Sequence, residues 1–149
     1  MNKIKLYIDL CVYNRPFDDQ HQPRIAFESH IFLFLMRKVP EGELTTINSF
    51  TLEFENSRNP LRERRGKVAD LLSLASEYVH YDKHIEERAY QLEQSGLPGI
   101  DALHIACAEA AKASYFVTCD DVLIKKCKRN QSRLRVKVSR LIELMSEIF

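Results

Sequence analysis

Four acidic residues far apart in the sequence, Asp9, Glu55, Asp101 and Asp120, each stand at the end of a strand-like run or in the opening turns of the helix-like run that follows. Taken singly, an aspartate after a strand is a turn or cap residue and a lone glutamate is solvent-exposed. Taken together they are a different object. Carboxylates brought to one edge of a sheet repel one another, and one of them stays protonated unless a cation compensates. All-oxygen ligands with no His or Cys spacing beside them favour Mg²⁺ or Mn²⁺ over Zn²⁺. Mg²⁺ keeps several of its waters, can activate one of them, and neutralises charge developing on a phosphodiester. Metal-assisted hydrolysis of a nucleic-acid backbone is the chemistry this set supports.

The elements that must position these acids are legible in the hydrophobic pattern. IKLYIDL reads as a strand ending near Asp9, and NRPFDDQHQPR reads as the loop it enters, with the mobile piece expected over Asn14 to Arg24. Apolar residues at helical spacing run from Ile25 to Val39, and Pro40 with Gly42 ends them. A second strand covers Leu44 to Asn48. Ser49 then caps a short helix that carries Glu55 and is interrupted before Asn59-Pro60, since the residue before a proline avoids helical geometry. Amphipathic helices are expected over Leu61 to Tyr78 and His84 to Gln94. SGLPG breaks the second of these and launches an alanine-rich helix, IDALHIACAEAAKA, with Asp101 in its first turn and expected to be the most buried. Tyr115 to Thr118 is a third strand, Asp120 and Asp121 open a further helix, Val136 to Val138 is a last strand, and a terminal helix carries Leu141, Ile142, Leu144 and Met145. Strands separated by helices imply an α/β fold of three layers, α/β/α, with a central mostly parallel sheet. Ligands of such sheets bind at the carboxyl ends of the strands.

Composition narrows the context. The 149 residues, 45% hydrophobic and 29% charged, fit one domain spanning 1–149. No apolar run approaches a membrane span and the amino end turns polar too early for a signal peptide, so a cytoplasmic protein is expected. Cys11, Cys107, Cys119 and Cys127 show neither zinc spacing nor a disulfide framework. The net charge of +1 conceals two basic stretches, one from Arg58 through Arg62, Arg64 and Arg65 to Lys67, the other from Lys125 to Arg140. Each alone is a solvated helix surface; with the acids they offer a path for a phosphate backbone.

Across nearly the whole chain the sequence resembles the PIN domain, a ribonuclease fold common in bacterial toxin-antitoxin toxins and RNA-processing factors. The likeness rests on YIDLCVYN running into Asp9, on SFTLEFE with Ser49 six residues before Glu55, on DALHIACA beginning at Asp101, and on FVTCDD with Thr118 and Asp120. It implies that Asp9, Glu55, Asp101 and Asp120 are the catalytic metal ligands, that Thr118 supports them, and that the substrate is RNA. For a toxin it also implies a small antitoxin that blocks the acids with a basic side chain; homodimers are common among such folds. The chain departs from the family at Leu10 and Cys11, where small hydroxyl or amide residues are usual. Glu53 competes with Glu55, because residues two apart cannot share a helix face. Asp121 is read as a helix cap or second-metal contact, and His104, one turn after Asp101, as a packed, hydrogen-bonded histidine or a site contact.

Two other functions compete. The same fold could be a catalytically inactive nucleic-acid- or protein-binding module, which retention of all four acids disfavours. A phosphotransferase using Asp9 as nucleophile would want an acid two residues on, and Cys11 stands there.

Overall fold

The computed structural model describes residues 3–149. Five parallel strands form one sheet in the order β3-β2-β1-β4-β5, where β1 is Ile4–Ile8, β2 Leu44–Ser49, β3 Glu77–Val79, β4 Tyr115–Val117 and β5 Lys137–Ser139. Eight helices connect and flank them: α1 Leu10–Asn14, α2 Pro23–Lys38, α3 Phe50–Ser57, α4 Arg62–Leu72, α5 Lys83–Gln94, α6 Gly99–Ala110, α7 Asp121–Arg129 and α8 Leu141–Ile148. The architecture is a three-layer α/β/α sandwich. None of the described helices is long and apolar enough to cross a membrane.

A strand at the centre of a covered parallel sheet must be apolar on both faces. β1 is such a strand: Leu6, Tyr7 and Ile8 are all fully buried. The chain winds from β1 through β2 to β3 on one side, then returns to lay β4 and β5 on the other. The winding reverses between β1 and β4, which opens a crevice at the carboxyl edge of those two strands. Register then brings distant residues together. Ile8 pairs with Val117 and Tyr7 with Ile47, so the residues that follow, Asp9, Thr118 and Ser49, emerge side by side. The Asp9 backbone N–H closes the ladder onto the Val117 carbonyl at 2.8 Å.

Three local expectations are corrected. The loop after β1 contains helix α1 and a 3-10 turn over Arg15–Phe17, because Asp9 caps α1 and the segment buries Leu10, Val12 and Tyr13. The helix expected over Leu61 to Tyr78 stops at Leu72, and Glu77–Val79 becomes edge strand β3. That strand is three residues long and largely exposed, so it carries no alternation to read. β4 is accordingly the fourth strand in the chain. Finally, Asp120 is the cap of α7, accepting from the Val122 and Leu123 N–H groups, whereas Asp121 pairs with Arg24 and Arg140. An N-cap needs extended geometry, which Asp120 has and the first helical residue lacks.

Helix α6 is lined by buried Ala102, His104, Ile105, Ala106, Cys107 and Ala108. Its small residues allow close approach of its neighbours, and it carries both Asp101 and His104 to the carboxyl edge.

Candidate active site

Asp9 is the most enclosed of the four acids. Its Oδ1 accepts the Leu10 N–H at 2.8 Å and its Oδ2 accepts the Thr118 hydroxyl at 2.8 Å. The Cys11 thiol lies 3.5 Å from the same Oδ2 and donates weakly to it. Thr118 is fully buried and its Oγ1 also accepts the Asp120 N–H at 3.2 Å, so one hydroxyl ties two of the acids together. Burial raises the Asp9 pKa, and nearby Glu55 adds to the rise, against the lowering effects of His104, Thr118 and Cys11.

Glu55 reaches the same place from α3, whose first turn is fixed by the Ser49 hydroxyl accepting the Leu52 N–H at 3.0 Å. Its Oε1 lies 3.1 Å from His104 Nε2. Behind His104 stands the Tyr7 hydroxyl, 2.7 Å from Nδ1 and 2.7 Å from Ser49 Oγ. Tyr7, Ser49 and His104 have no solvent exposure. Glu53 faces elsewhere, accepting from Asn48 Nδ2 at 3.2 Å and from the Tyr78 hydroxyl at 2.9 Å. Of the two glutamates, only Glu55 enters the cleft.

Asp101 and Asp120 complete the lining. Both border a cleft of about 420 Å³ together with Asp9, Glu55, Cys11, Asn14, Arg58, Asn59 and Arg64. Asp101 has its pKa raised to about 6, first by loss of solvation and then by Asp9, with Asp120 and Glu55 adding to it. The tightest grouping is smaller than the four: Asp9, Glu55 and His104 each offer one ligand atom within 4.8 Å of the others. Asp101 and Asp120 face the same cleft from farther away.

These residues fit a divalent ion. Glu55 Oε2 and Asp120 Oδ2 have no partner among the described residues, and Asn14 Oδ1 is buried without one. An Mg²⁺ or Mn²⁺ that keeps several waters needs only one or two carboxylates at direct range.

The basic residues divide by position. Arg64 is committed to Asp18 at 2.9 Å and to the Phe17 carbonyl, and Arg15 binds Asp18 and Glu28, so the turn after α1 is braced by ion pairs. Arg58 lines the cleft and makes no ion pair among the described residues; its guanidinium sits 5.8 Å from the centre of the exposed Phe54 ring. The Lys125 to Arg140 stretch does not border the cleft. Sequence reasoning missed Tyr7. The available signal was a tyrosine inside a buried strand, whose hydroxyl must find a polar partner.

Comparison with known families decides the relationship. The PIN domain model matches residues 27–129, a span that includes Glu55, Asp101 and Asp120 and begins after Asp9. The chain belongs to the PIN domain family. Among solved structures, this PIN domain is similar to VapBC2 from Rickettsia felis bound to a DNA fragment from their promoter. The TM-score is 0.54 and the identity 17%, over 92% of this chain and 98% of that one, a likeness of fold. No curated protein matches the chain significantly.

Proposed function

We propose that this PIN domain is a Mg²⁺- or Mn²⁺-dependent endoribonuclease of the cytoplasm, hydrolysing RNA phosphodiester bonds as the toxin of a toxin-antitoxin pair. The observation that carries the reading is the convergence of Asp9, Glu55, Asp101 and Asp120 on one cleft at the winding reversal of the sheet. Asp9, Glu55, Asp101 and Asp120 would hold the ion between them, Asp9 and Glu55 from the tighter grouping. When bound, the ion supplies a Lewis acid that activates water and offsets charge on the phosphate.

The chain's own groups account for the rest. Thr118 orients Asp9 and the Asp120 backbone, which sets the spacing between two acids before any ion arrives. Arg58, at the rim of an otherwise negative cleft, attracts and seats the phosphate. Asp101, lining the cleft beside Asp9, would take up a proton from the attacking water. Likeness to VapBC2 supports an antitoxin partner, which would compete with RNA for the acids by presenting a basic side chain.

The test is cleavage of a mixed RNA substrate with and without Mg²⁺ or Mn²⁺. Asp9→Asn and Asp101→Asn should each lose more than about 100-fold in turnover, beyond the loss typical of an outer partner. Both should keep the wild-type circular dichroism spectrum. Wild-type turnover in both variants, or cleavage that survives chelation, rejects the mechanism, and no cleavage by the wild type with either ion favours a binding module.

A further inference from the structure

We infer that His104 is a positioning residue, holding the Glu55 carboxylate through its Nε2–H, and is not itself a metal ligand. The inference builds on the metal-binding reading of the cleft, but its structural half stands without it. Proximity alone points the other way, since His104 Nε2 belongs to the tightest group of candidate ligand atoms. Proton accounting along the hydrogen-bond chain decides between the two roles.

The chain begins at a group whose proton is fixed. The Leu52 backbone N–H donates to Ser49 Oγ at 3.0 Å. Ser49 has one hydroxyl proton of its own, and the oxygen within reach is that of Tyr7 at 2.7 Å. Tyr7 then spends its proton on His104 Nδ1, also at 2.7 Å. A neutral imidazole that accepts at Nδ1 carries its proton at Nε2. The Nε2 partner is Glu55 Oε1 at 3.1 Å, an acceptor when ionised.

Run in this direction, every link has a donor and an acceptor from a helix cap to a carboxylate, whereas the reverse would turn the Ser49 proton toward the Cys107 thiol and leave the Glu55 carboxylate facing a proton-free Nε2. None has an alternative partner in water, because Tyr7, Ser49 and His104 are fully buried. A nitrogen that bears a proton has no lone pair to give a metal. His104 therefore acts through Glu55: it fixes one carboxylate oxygen and leaves Oε2 to face the cleft. Outer partners of this kind set the orientation and basicity of a ligand, and losing one costs about 10–100-fold in metal affinity.

Two measurements test this. The first is ¹⁵N NMR of the metal-free protein. His104 should show a protonated Nε2 and an acceptor Nδ1, and Tyr7→Phe should move the Nδ1 resonance toward that of an acceptor without a donor while Nε2 keeps its proton against Glu55. A deprotonated Nε2 in the wild type, or a Tyr7→Phe spectrum unchanged at His104, overturns the proposal whether or not the protein binds metal or RNA. The second is Mg²⁺ affinity by calorimetry for two replacements. In His104→Gln the side-chain amide reaches as far as Nε2 and can donate to Glu55, so affinity should stay within about threefold of wild type. In His104→Asn the amide reaches only the Nδ1 position, so affinity should fall about 10–100-fold. Equal losses in both variants, tracking their melting temperatures, would mean a packing role alone. A direct ligand would instead show its ring nitrogen resonances displaced on adding diamagnetic Mg²⁺. Absence of any Mg²⁺ binding by the wild type sinks the metal-binding reading, and the NMR result still decides the Glu55 contact.

Discussion

Asp101 and Cys11 show how single side chains tune the cleft. Asp101 holds its proton up to about pH 6 in the folded chain, against an ordinary value of 3.8. Between those values the native state binds more protons than the unfolded state, so metal-free stability should fall as pH rises from about 4 to about 6. Thermal melts across that range should show the decline, Asp101→Asn should flatten it, and saturating Mg²⁺ should reverse it by binding the ionised site. Cys11 makes a weaker version of the hydroxyl contact to Asp9, and its sulfur lies 3.0 Å from that of Cys119. Cys11→Ser substitutes a stronger donor at the same place. Its stability should lie within about 1 kcal/mol of wild type, the scale of one hydrogen bond, with RNA cleavage maintained or increased.

At the scale of elements, strand ends and helix caps coincide at the site. Asp9 closes β1 and caps α1, Ser49 closes β2 and caps α3, and Asp120 caps α7 three residues beyond β4. Ser49→Ala should cost about 1–2 kcal/mol in chemical denaturation, because it removes a cap and leaves the buried Tyr7 hydroxyl short of a partner. The sequence carried most of this framework. The apolar runs around Tyr7, Ile47 and Phe116 and the break at SGLPG marked β1, β2, β4 and the start of α6, and they placed the acids at strand and helix ends. Edge strand β3 and short helix α1 were not legible, since three exposed residues show no period and five residues after an aspartate look like a turn. Choosing Glu55 over Glu53 required the Ser49 spacing, and the structure adds why: Asn48 and Tyr78 hold Glu53 away from the cleft. The Ser49–Tyr7–His104 chain was invisible because it joins three elements through hydroxyls that sequence periodicity does not distinguish.

For the molecule as a whole, a net charge of +1 coexists with a negative cleft, so any attraction for RNA must be local. Arg58 is the basic group at that cleft free of ion pairs among the described residues. Arg58→Ala should weaken RNA binding and reduce the slope of log affinity against log salt by about 0.7, as expected for one phosphate contact on a single strand. An unchanged slope would remove Arg58 from the substrate path. Cohesion elsewhere depends on deeply buried groups such as Phe32, which packs edge-on against Tyr13 at 5.3 Å between ring centres. Phe32→Ala should cost about 3–5 kcal/mol in denaturant titration.

The uniform direction of the five strands has a practical outcome for handling the protein. β1 begins at Ile4, on the far side of the sheet from Asp9, and α8 runs back toward that far side, where the Phe149 ring meets Phe34 near the end of α2. A bead or dye attached at the exposed Lys3 or Phe149 would thus sit away from the acids, and a surface coated with protein tethered this way should display its clefts to the bulk solution.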